Sequence, residues 1–427
     1  MAELVQQYLD RIRAEHADVT EGELACYIPE LACVDPSRLG LSLSLSDGYV
    51  YESGDAAIEF TIQSISKPFT YALALDQSGQ QAVDAKIGVE PSGEAFNEIS
   101  VDDTTKTPKN PMINAGAIAA VALVPGATPD ERFNRIQDFY SACAGRRLEM
   151  DHAVYTSERD TGARNRAIAY MLQSFGVLGG DPDEVLDVYF RQCSLKVTST
   201  DLARMATTLA RGGINPCTGR RVMDAAVVQR TLSVMVTCGM YDAAGDWVSA
   251  VGLPAKSGVG GGIVAVLPGQ LGIGVYSPLL DARGNSVRGV RVCRSLSARL
   301  GLHFLTVTRE SSSTIRARYD LCEGVRVYEL HGDLLFAGAE QVLRTIEIER
   351  DDYDVAVLEV SRIDDINDAA RSMLAGMRTA LTAVDKEGFL VDPDNKVVPT
   401  GIRQGRDVIV FDTLDDARAA AKEFRAG

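Results

Sequence analysis

Apolar and polar residues alternate in two separate stretches of the chain, and each stretch predicts a β-hairpin. In residues 40–60, GLSLSLSDGYVYESGDAAIEF, the alternation runs on both sides of an Asp-Gly pair, a frequent hairpin turn. Strand character returns in residues 262–278, GIVAVLPGQLGIGVYSP. From about 64 to 240 apolar residues recur at helical spacing, interrupted by loops such as TKTPKNP and LGGDPDE. The pattern predicts an antiparallel sheet completed by distant parts of the chain, with a helical subdomain between them.

A second, smaller α/β domain is predicted in the last quarter of the chain. The stretch TVTRESSSTIRARYD (306–320) is polar and rich in serine, which is typical of a linker. After it come four short strand candidates with helix-like sequence between them: VRVYELHG, DVAVLEV, KEGFLVDPD and DVIVFD. We therefore predict a first domain at 1–305, a linker at 306–315 and a second domain at 316–427.

Charge argues against two classes of partner. The 427 residues are 46% apolar and 24% charged, which is typical of a globular protein with a sizeable core. The net charge is -16, and phosphate binding needs a basic face, so we expect neither nucleic acid nor an anionic membrane as a partner. The acidic excess is uneven: residues 313–427 hold 15 Lys and Arg against 23 Asp and Glu, or -8.

Cysteine and histidine usage makes a metal site improbable. The eight cysteines form no C-x-x-C pair, and the four histidines are scattered, so we expect no zinc and no other cofactor. The first residues, MAELVQQYLDRIRAEHADVTEG, predict an amphipathic helix with charges throughout instead of an apolar signal core. No apolar run reaches the length of a membrane span. A cytoplasmic protein with free thiols fits these observations.

The stretch FTIQSISKPF (60–69) is the first candidate for chemistry. Lysine is scarce, with nine lysines against 34 arginines, and a desolvated lysine, unlike arginine, can lose its proton and act as a base. Ser64 and Lys67 are three positions apart and share a helix face, while Pro68 is tolerated only near a helix start. Ser64 is therefore predicted at a helix N-terminus, which favours a developing anion. The stretch thus combines a nucleophile, a nearby base and an oxyanion donor, which acyl transfer requires. The alternative is an ordinary surface helix start that has the same spacing by chance.

A second box, AKSGVGGGIVAV (255–266), places Lys-Ser-Gly at a strand edge before a run of glycines. Glycines permit close backbone approach, and a free N–H beside them would complete an oxyanion hole; a glycine-rich strand turn is the alternative. Serine β-lactamases and penicillin-binding proteins combine S-x-x-K with K-T-G, but their middle S-x-N box is missing here. We expect Lys256 to have a structural part at the strand edge.

Six segments in series closely resemble the serine-dependent glutaminases. The likeness runs in order over about residues 20–305. It implies a β-lactamase-like fold and hydrolysis of the side-chain amide of L-glutamine, with no metal and no cofactor. The segments are CYIPELA (26–32), FTIQSISKPF (60–69), PKNPMINAGAI (108–118), SERDTGARNRAIAYML (157–172), VYFRQCSLKVTSTDLA (188–203) and GMYDAAGDWVSAVGLPAKSGVGGGI (239–263).

This resemblance also implies the catalytic residues. Ser64 would attack the amide carbon, and Lys67 would accept its proton. The backbone N–H groups of Ser64 and Val259 would hold the oxyanion. Tyr241 would help relay the proton to departing ammonia, and Tyr27 would lie near the same centre. Water would then hydrolyse the γ-glutamyl ester and release glutamate.

The substrate-binding residues follow from the same resemblance. Glu158 would pair with the substrate ammonium, Asn114, Asn165 and Tyr189 would bind the head group, and Gln63 would line the pocket. Each has a structural alternative. Asn114 is placed to cap a helix, and Glu158 and Asn165 lie seven apart, which also describes one solvated helix face. Tyr189, like Tyr27, would more often be a core residue with a satisfied hydroxyl.

Residues from about 316 to 425 resemble the STAS domain, which anti-sigma-factor antagonists share with the cytoplasmic ends of sulfate transporters. The resemblance lies in VRVYELHGDLLFAGAEQVLRTI and DVAVLEVSRIDDINDAARSML. Phosphorylatable members carry a serine at the start of a helix, where this chain has Asp368, Ala369 and Ala370. The resemblance therefore implies an oligomerisation or docking module, with nucleotide sensing as the alternative.

Three functions remain open from sequence. The favoured one is an L-glutamine amidohydrolase that assembles as a homo-oligomer, a dimer or tetramer. A β-lactam or D-alanyl-peptide acylase is the second, although its substrates lie outside the membrane. The third is a non-catalytic scaffold whose STAS-like segment binds a protein partner.

Overall fold

The computed structural model of the chain describes residues 2–92, 101–305, 314–398 and 408–426. The chain divides into two units, one spanning Leu9–Ser295 and the other made of Met1–Tyr8 together with Leu296–Gly427. Each unit contains a five-stranded sheet. The domain boundaries at 305 and 316 stay a prediction.

Helices and strands follow the order expected from the sequence pattern. The helices of the described residues are α1 (Ala2–Ala17), α2 (Pro29–Ala32), α3 (Ser66–Ser78), α4 (Gln80–Asp84), α5 (Asn114–Leu123), α6 (Pro129–Ala144), α7 (His152–Thr161), α8 (Ala163–Ser174), α9 (Pro182–Cys193), α10 (Ser199–Ala210), α11 (Ala225–Cys238), α12 (Ala244–Ala250), α13 (Val287–Leu300), α14 (Phe336–Ile348), α15 (Asp368–Ala375), α16 (Met377–Thr382) and α17 (Leu414–Ala426). The strands are β1 (Gly40–Leu45), β2 (Val50–Gly54), β3 (Phe60–Thr61), β4 (Lys196–Val197), β5 (Ala255–Ser257), β6 (Gly262–Leu267), β7 (Leu271–Tyr276), β8 (Ile315–Cys322), β9 (Val325–Leu334), β10 (Val355–Ile366), β11 (Glu387–Val391) and β12 (Val410–Phe411).

The sheet of the first unit confirms both hairpins and the long-range pairing. Its strand order is β2-β1-β7-β6-β5, and all neighbours are antiparallel. The first hairpin turns at the predicted Asp-Gly pair, where Gly48 has a φ of 93°. Strand β1 pairs with β7, so that Leu43 lies opposite Ile273. An antiparallel sheet completed by distant segments, with helices between, is therefore present as predicted.

The polar positions of β1 are buried, which alternation alone does not indicate. Helix α10 packs against β1, β6 and β7. The hydroxyl of Ser42 lies 2.8 Å from that of Ser199 and 3.0 Å from that of Thr200, so the buried hydroxyl of this one serine is satisfied by the helix. Gly274 of β7 allows this approach, because a Cβ there would lie 1.9 Å from the carbonyl oxygen of Ser199. The sheet is covered on this face by a hydroxyl-lined contact.

The helical subdomain surrounds α3, the helix that carries the S-x-x-K lysine. All of its residues from Ser66 to Leu75 are buried, and the surrounding apolar cluster draws on helices α5, α6, α8, α9, α10 and α11. The two-residue strands β3 and β4 pair through Phe60 and Val197, which fixes the chain just before this helix. Apart from β4, the predicted helical stretch from 64 to 240 contains no strand among its described residues.

The second unit contains a mostly parallel sheet of order β12-β11-β10-β9-β8. Strands β9 to β12 are parallel neighbours, and β8 is an antiparallel edge strand. The four strands predicted from apolar segments are confirmed. Residues 306–313 of the predicted linker lie outside the described residues, whereas Ile315–Cys322 form β8. Taking that end of the serine-rich stretch as linker was wrong, because Ile315 and Ala317 alternate with exposed arginines and pair with β9.

The helices, where described, include none that is both long and apolar enough to cross a bilayer. Nor do the described residues place three His, Cys, Asp or Glu side chains where they would hold a metal ion. All eight cysteines are free thiols.

Candidate active site

One cavity of about 260 Å³ in the first unit brings together eight of the ten predicted site residues. Its volume lies just under the roughly 300–1,000 Å³ of sites for drug-sized ligands, which suits a ligand the size of an amino acid. The two remaining residues, Lys67 and Tyr241, contact this lining through hydrogen bonds. The cavity is lined by Tyr27, Gln63, Ser64, Asn114, Glu158, Thr161, Gly162, Arg164, Asn165, Tyr189, Cys193 and Val259.

Ser64 lies in a 3₁₀ turn, Gln63–Ile65, directly before α3. This agrees with the predicted position at a helix N-terminus. The preceding residue, Gln63, has a φ of 50°, in the left-handed region that non-glycine residues rarely adopt. Ser64 is 8% exposed, so its hydroxyl faces the cavity from an otherwise buried turn.

The amine of Lys67 is held by two asparagines. Its Nζ donates to Oδ1 of Asn114 at 2.6 Å, and Nδ2 of Asn114 donates to Oδ1 of Asn165 at 2.9 Å. Asn114 is the first residue of α5, and the N-cap is Ile113, which makes no side-chain cap. The capping alternative for Asn114 is therefore wrong. Its side chain connects the buried lysine to the cavity wall instead.

Burial also shifts the protonation of this lysine. Lys67 is fully buried, and burial lowers its pKa to about 8, although the nearby Cys193 and Glu158 act in the opposite direction. A substantial fraction of the amine is thus neutral near physiological pH. The hydrogen bonds of the described residues include none directly between Ser64 and Lys67, so proton transfer between them stays a prediction.

Glu158 is a buried carboxyl group opposite the lysine. The Tyr27 hydroxyl lies 3.5 Å from its Oε1 and 3.4 Å from Oε1 of Gln63. Burial raises the pKa of Glu158 to about 7, against the hydrogen bonds from Gln63 and Tyr27 and the charge of Lys67, which all favour the carboxylate. A buried acceptor carboxylate that lines a small cavity is suited to a cationic group.

The helix that carries Glu158 is not the one that carries Asn165. Helix α7 ends at Thr161, and α8 begins at Ala163 after a break at Gly162. Glu158 is 6% exposed. The alternative of one continuous solvated face is therefore wrong, and the break turns both side chains towards the same cavity.

Tyr241 connects Ser64 to the K-S-G strand. Its hydroxyl donates to the carbonyl oxygen of Ser257 at 3.1 Å, and it also hydrogen-bonds the side chain of Ser64. A phenol has one proton to donate, so the Ser64 hydroxyl is the donor in the second bond. Burial raises the pKa of Tyr241 to about 12, which keeps the phenol protonated. Its φ of 57° is also left-handed.

The glycine run brings Val259 against the serine turn. A Cβ on Gly260 would lie 2.7 Å from the carbonyl oxygen of Thr61, so only glycine allows this approach. Val259 is 7% exposed and lines the cavity, and its N–H has no acceptor among the described residues. Because a buried N–H normally has a partner, this donor is placed for a ligand atom.

Sequence reasoning missed four residues of the lining, Thr161, Gly162, Arg164 and Cys193, and the contacts of Lys256. Cys193 lines the cavity, and burial raises the pKa of its thiol to about 12, so it is an uncharged wall residue. Lys256 was expected to be structural, and β5 is indeed an edge strand. Its fully buried amine, however, lies 3.9 Å from the ring centroid of Tyr241. No local sequence signal distinguishes that position from an ordinary strand lysine.

Comparison with known proteins gives one consistent family. A family model described as Glutaminase matches residues 22–305. Glutaminase 2 of Bradyrhizobium diazoefficiens is 46% identical over 397 residues, 88% of this chain and 64% of its own length. The glutaminase of Corynebacterium glutamicum is 43% identical over 394 residues, which cover 92% of this chain and 95% of that protein. The chain thus spans less than two thirds of the Bradyrhizobium relative, and 58% of a second one, Glutaminase 1.

Solved structures give the same result. A crystal structure of Mglu is 44% identical, with a TM-score of 0.69, and covers 91% of this chain and 98% of its own. A probable glutaminase from Bacillus subtilis in complex with 6-diazo-5-oxo-L-norleucine is 34% identical, with a TM-score of 0.63, over 69% of this chain and 94% of its own.

Proposed function

The chain belongs to the glutaminase family, and on this premise we propose that it hydrolyses the side-chain amide of L-glutamine through a γ-glutamyl ester on Ser64. The observation that carries the proposal is the cavity that Ser64 and Glu158 line together, with Lys67 one hydrogen bond behind its wall. It combines a nucleophile, a buried amine of lowered pKa and an anionic group for the substrate ammonium.

In the first half-reaction the Ser64 hydroxyl turns from Tyr241 to the neutral amine of Lys67, which accepts its proton while Oγ bonds to the amide carbon. The oxyanion that forms is held by the backbone N–H groups of Ser64 and Val259. The carbon–nitrogen bond then breaks. Tyr241 gives its proton to the departing nitrogen and is reprotonated from Lys67, so that ammonia leaves and the enzyme holds a neutral ester.

In the second half-reaction a water molecule attacks the ester carbonyl and loses a proton to Lys67. Ser64 leaves with that proton, and glutamate is released. The hydrogen bond of Tyr241 to Ser64 supports this route, because it places a weak acid beside the oxygen at which both steps occur.

Substrate selection rests on the charged α-groups. Glu158 pairs with the ammonium, and because this carboxyl group is only 6% exposed, the pair is screened less than it would be at the surface. Tyr27 and Gln63 orient this carboxylate. The head group is further bound by Asn114, Asn165 and Tyr189, which line the same cavity.

The decisive experiment compares wild type with Ser64→Ala. Ammonia release from L-glutamine should fall by at least about 10⁴-fold, the order of loss for removal of a nucleophile. Binding of L-glutamine, measured by calorimetry, should persist. A matched control is Ser233→Ala, whose hydroxyl bonds its own helix at an exposed site. Near-normal turnover of Ser64→Ala, or a trapped γ-glutamyl group on another residue, would refute the mechanism.

We propose that the chain has a first domain at 1–305 and a second domain at 316–427. The second domain would be a STAS-like module for assembly or for docking of a partner. Support comes from its parallel sheet with one antiparallel edge strand and helices between the strands. At the start of α15, Asn367 is the cap and accepts from the N–H of Ala370, so no hydroxyl occupies the usual acceptor position. Light scattering of the full chain tests the predicted dimer or tetramer, and a monomer at all concentrations would contradict it.

A further inference from the structure

A fully buried amine beside the active site has no part in the proposed chemistry. Lys256 is the central residue of β5 and pairs with Val264 of β6. Its side chain is 0% exposed. An apolar side chain of equal length would be buried there without the cost of desolvating an amine. The amine is therefore expected to make interactions that an apolar chain cannot.

Two contacts of this amine converge on Tyr241. Nζ of Lys256 donates to the carbonyl oxygen of Ser257 at 2.7 Å. The same oxygen accepts the hydroxyl of Tyr241 at 3.1 Å. The amine also lies over the tyrosine ring, 3.9 Å from its centroid. Lys256 thus contacts both the ring face and the atom that receives the phenol proton.

Tyr241 needs such support because its backbone is strained. Its φ of 57° lies in the left-handed region, and it begins a single 3₁₀ turn, Tyr241–Ala243, that supplies few local constraints. A ring held only by that turn would have other orientations within reach. The contacts of Lys256 select the orientation in which the hydroxyl lies beside Ser64.

We propose that Lys256 is a positioning residue for Tyr241: its amine clamps the ring and the Ser257 carbonyl so that the phenol stays in hydrogen-bonding contact with Ser64. This rests on the proposed function in one respect, the proton relay through Tyr241. The clamp itself needs only an N–H donor. Burial, and then the charge of Lys67, lower the pKa of Lys256 well below its usual value. The clamp does not depend on that charge, because a neutral amine still donates an N–H.

The test is a double-mutant cycle of Lys256→Met and Tyr241→Phe, with kcat and KM measured on L-glutamine. Methionine keeps the length and removes the donor. We expect Lys256→Met alone to lower kcat by about tenfold or more with KM within about twofold, and to add less than about twofold in the Tyr241→Phe background. An equal loss in both backgrounds, or an unchanged kcat, overturns the proposal.

The matched control is Lys86→Met. Lys86 also donates to a backbone carbonyl, that of Gly176 at 2.6 Å, but at an exposed site that does not line the cavity. Its removal should leave kcat and KM unchanged. Lys256→Gln, which retains an N–H donor, should recover part of the lost kcat. If the methionine variant does not fold, Lys256→Leu, which also removes the donor, replaces it in the cycle.

A crystal structure of the Lys256 variant separates this proposal from the proposed function. We expect the Tyr241 hydroxyl to leave the Ser257 carbonyl and Ser64. If wild type released no ammonia from L-glutamine, the proposed proton relay would be refuted. The position of Tyr241 in the variant structure would still show whether Lys256 holds it in place. A Tyr241 that keeps both hydrogen bonds without the amine overturns the clamp.

Discussion

The proposed hydrolysis of glutamine should depend on pH through two buried groups whose pKa values are shifted towards each other. Burial raises the pKa of Glu158 to about 7 and lowers that of Lys67 to about 8. The proposed reaction needs Glu158 as a carboxylate, to bind the ammonium, and Lys67 as a neutral amine, to accept the serine proton. Both requirements are losses of a proton, so activity must rise with pH.

The two pKa values set the size of the effect. Below about pH 7 both Glu158 and Lys67 are mostly protonated, and kcat/KM should fall by about 100-fold for each pH unit. Between about pH 7 and 8 only the protonation of Lys67 limits the reaction, and kcat/KM should change by about tenfold for each pH unit. Above about pH 8 the profile should be flat until the substrate α-ammonium ionises. At about pH 6 the expected kcat/KM is about 10³-fold below the plateau.

The assay is ammonia release from L-glutamine at constant ionic strength, with kcat and KM fitted separately across this range. Glu158→Gln should raise KM and remove the lower ionisation, which leaves a single slope of about tenfold per unit. Loss of a buried charge partner costs roughly 2–5 kcal/mol, or at least about 30-fold in kcat/KM. Glu59→Gln, at an exposed pair with Lys196, is the control. A wild-type profile with one ionisation, or a Glu158→Gln profile equal to wild type, would refute the reasoning.

Two further predictions concern the stability of the protein and the glycine-rich loop that carries Val259 and Gly260. Arg288 is 2% exposed and donates to four backbone carbonyls. Because a buried acceptor that loses its donor costs roughly 1–3 kcal/mol, Arg288→Met should lower the free energy of unfolding in urea by at least about 3 kcal/mol. Arg291→Met, which removes an exposed ion pair on the same helix, should cost under about 1 kcal/mol, and equal unfolding midpoints would contradict this prediction. Gly260→Ala places a Cβ 2.7 Å from the Thr61 carbonyl and should lower kcat by about tenfold or more by displacing one oxyanion donor. Gly245→Ala meets nothing within 4 Å and should be silent; an unchanged kcat for Gly260→Ala would exclude the loop from catalysis.

Local patterns predicted the elements of this protein well, because periodicity and turn residues act over a few positions. The Asp-Gly hairpin and the four strands β9 to β12 of the second unit were predicted in this way. The start of α3 just after Ser64 followed from Pro68, whose missing N–H confines it to a first turn. Edge strand β8 was missed because its polar composition resembles that of a linker.

Side-chain contacts between distant segments could not be predicted from residue patterns alone. The bond from Lys67 to Asn114 joins residues 47 apart, and that from Asn114 to Asn165 joins residues 51 apart. The resemblance placed these residues in one site without indicating that they form a chain of hydrogen bonds. Lys256 shows the same limit, because its amine acts on a residue of a preceding turn. Such partners are fixed by tertiary packing, which spacing along the sequence does not encode.

Backbone strain shows what that packing does for the site. Five non-glycine residues of the described chain have a positive φ, and only Gln63 and Tyr241 among them are buried. Each such conformation costs roughly 1–3 kcal/mol and persists only where its surroundings enforce it. Exposed turns adopt it readily, but here both residues contact the groups around Ser64. The packed core therefore holds Ser64 between two residues of strained backbone, so the geometry at Ser64 depends on the packing that enforces both conformations.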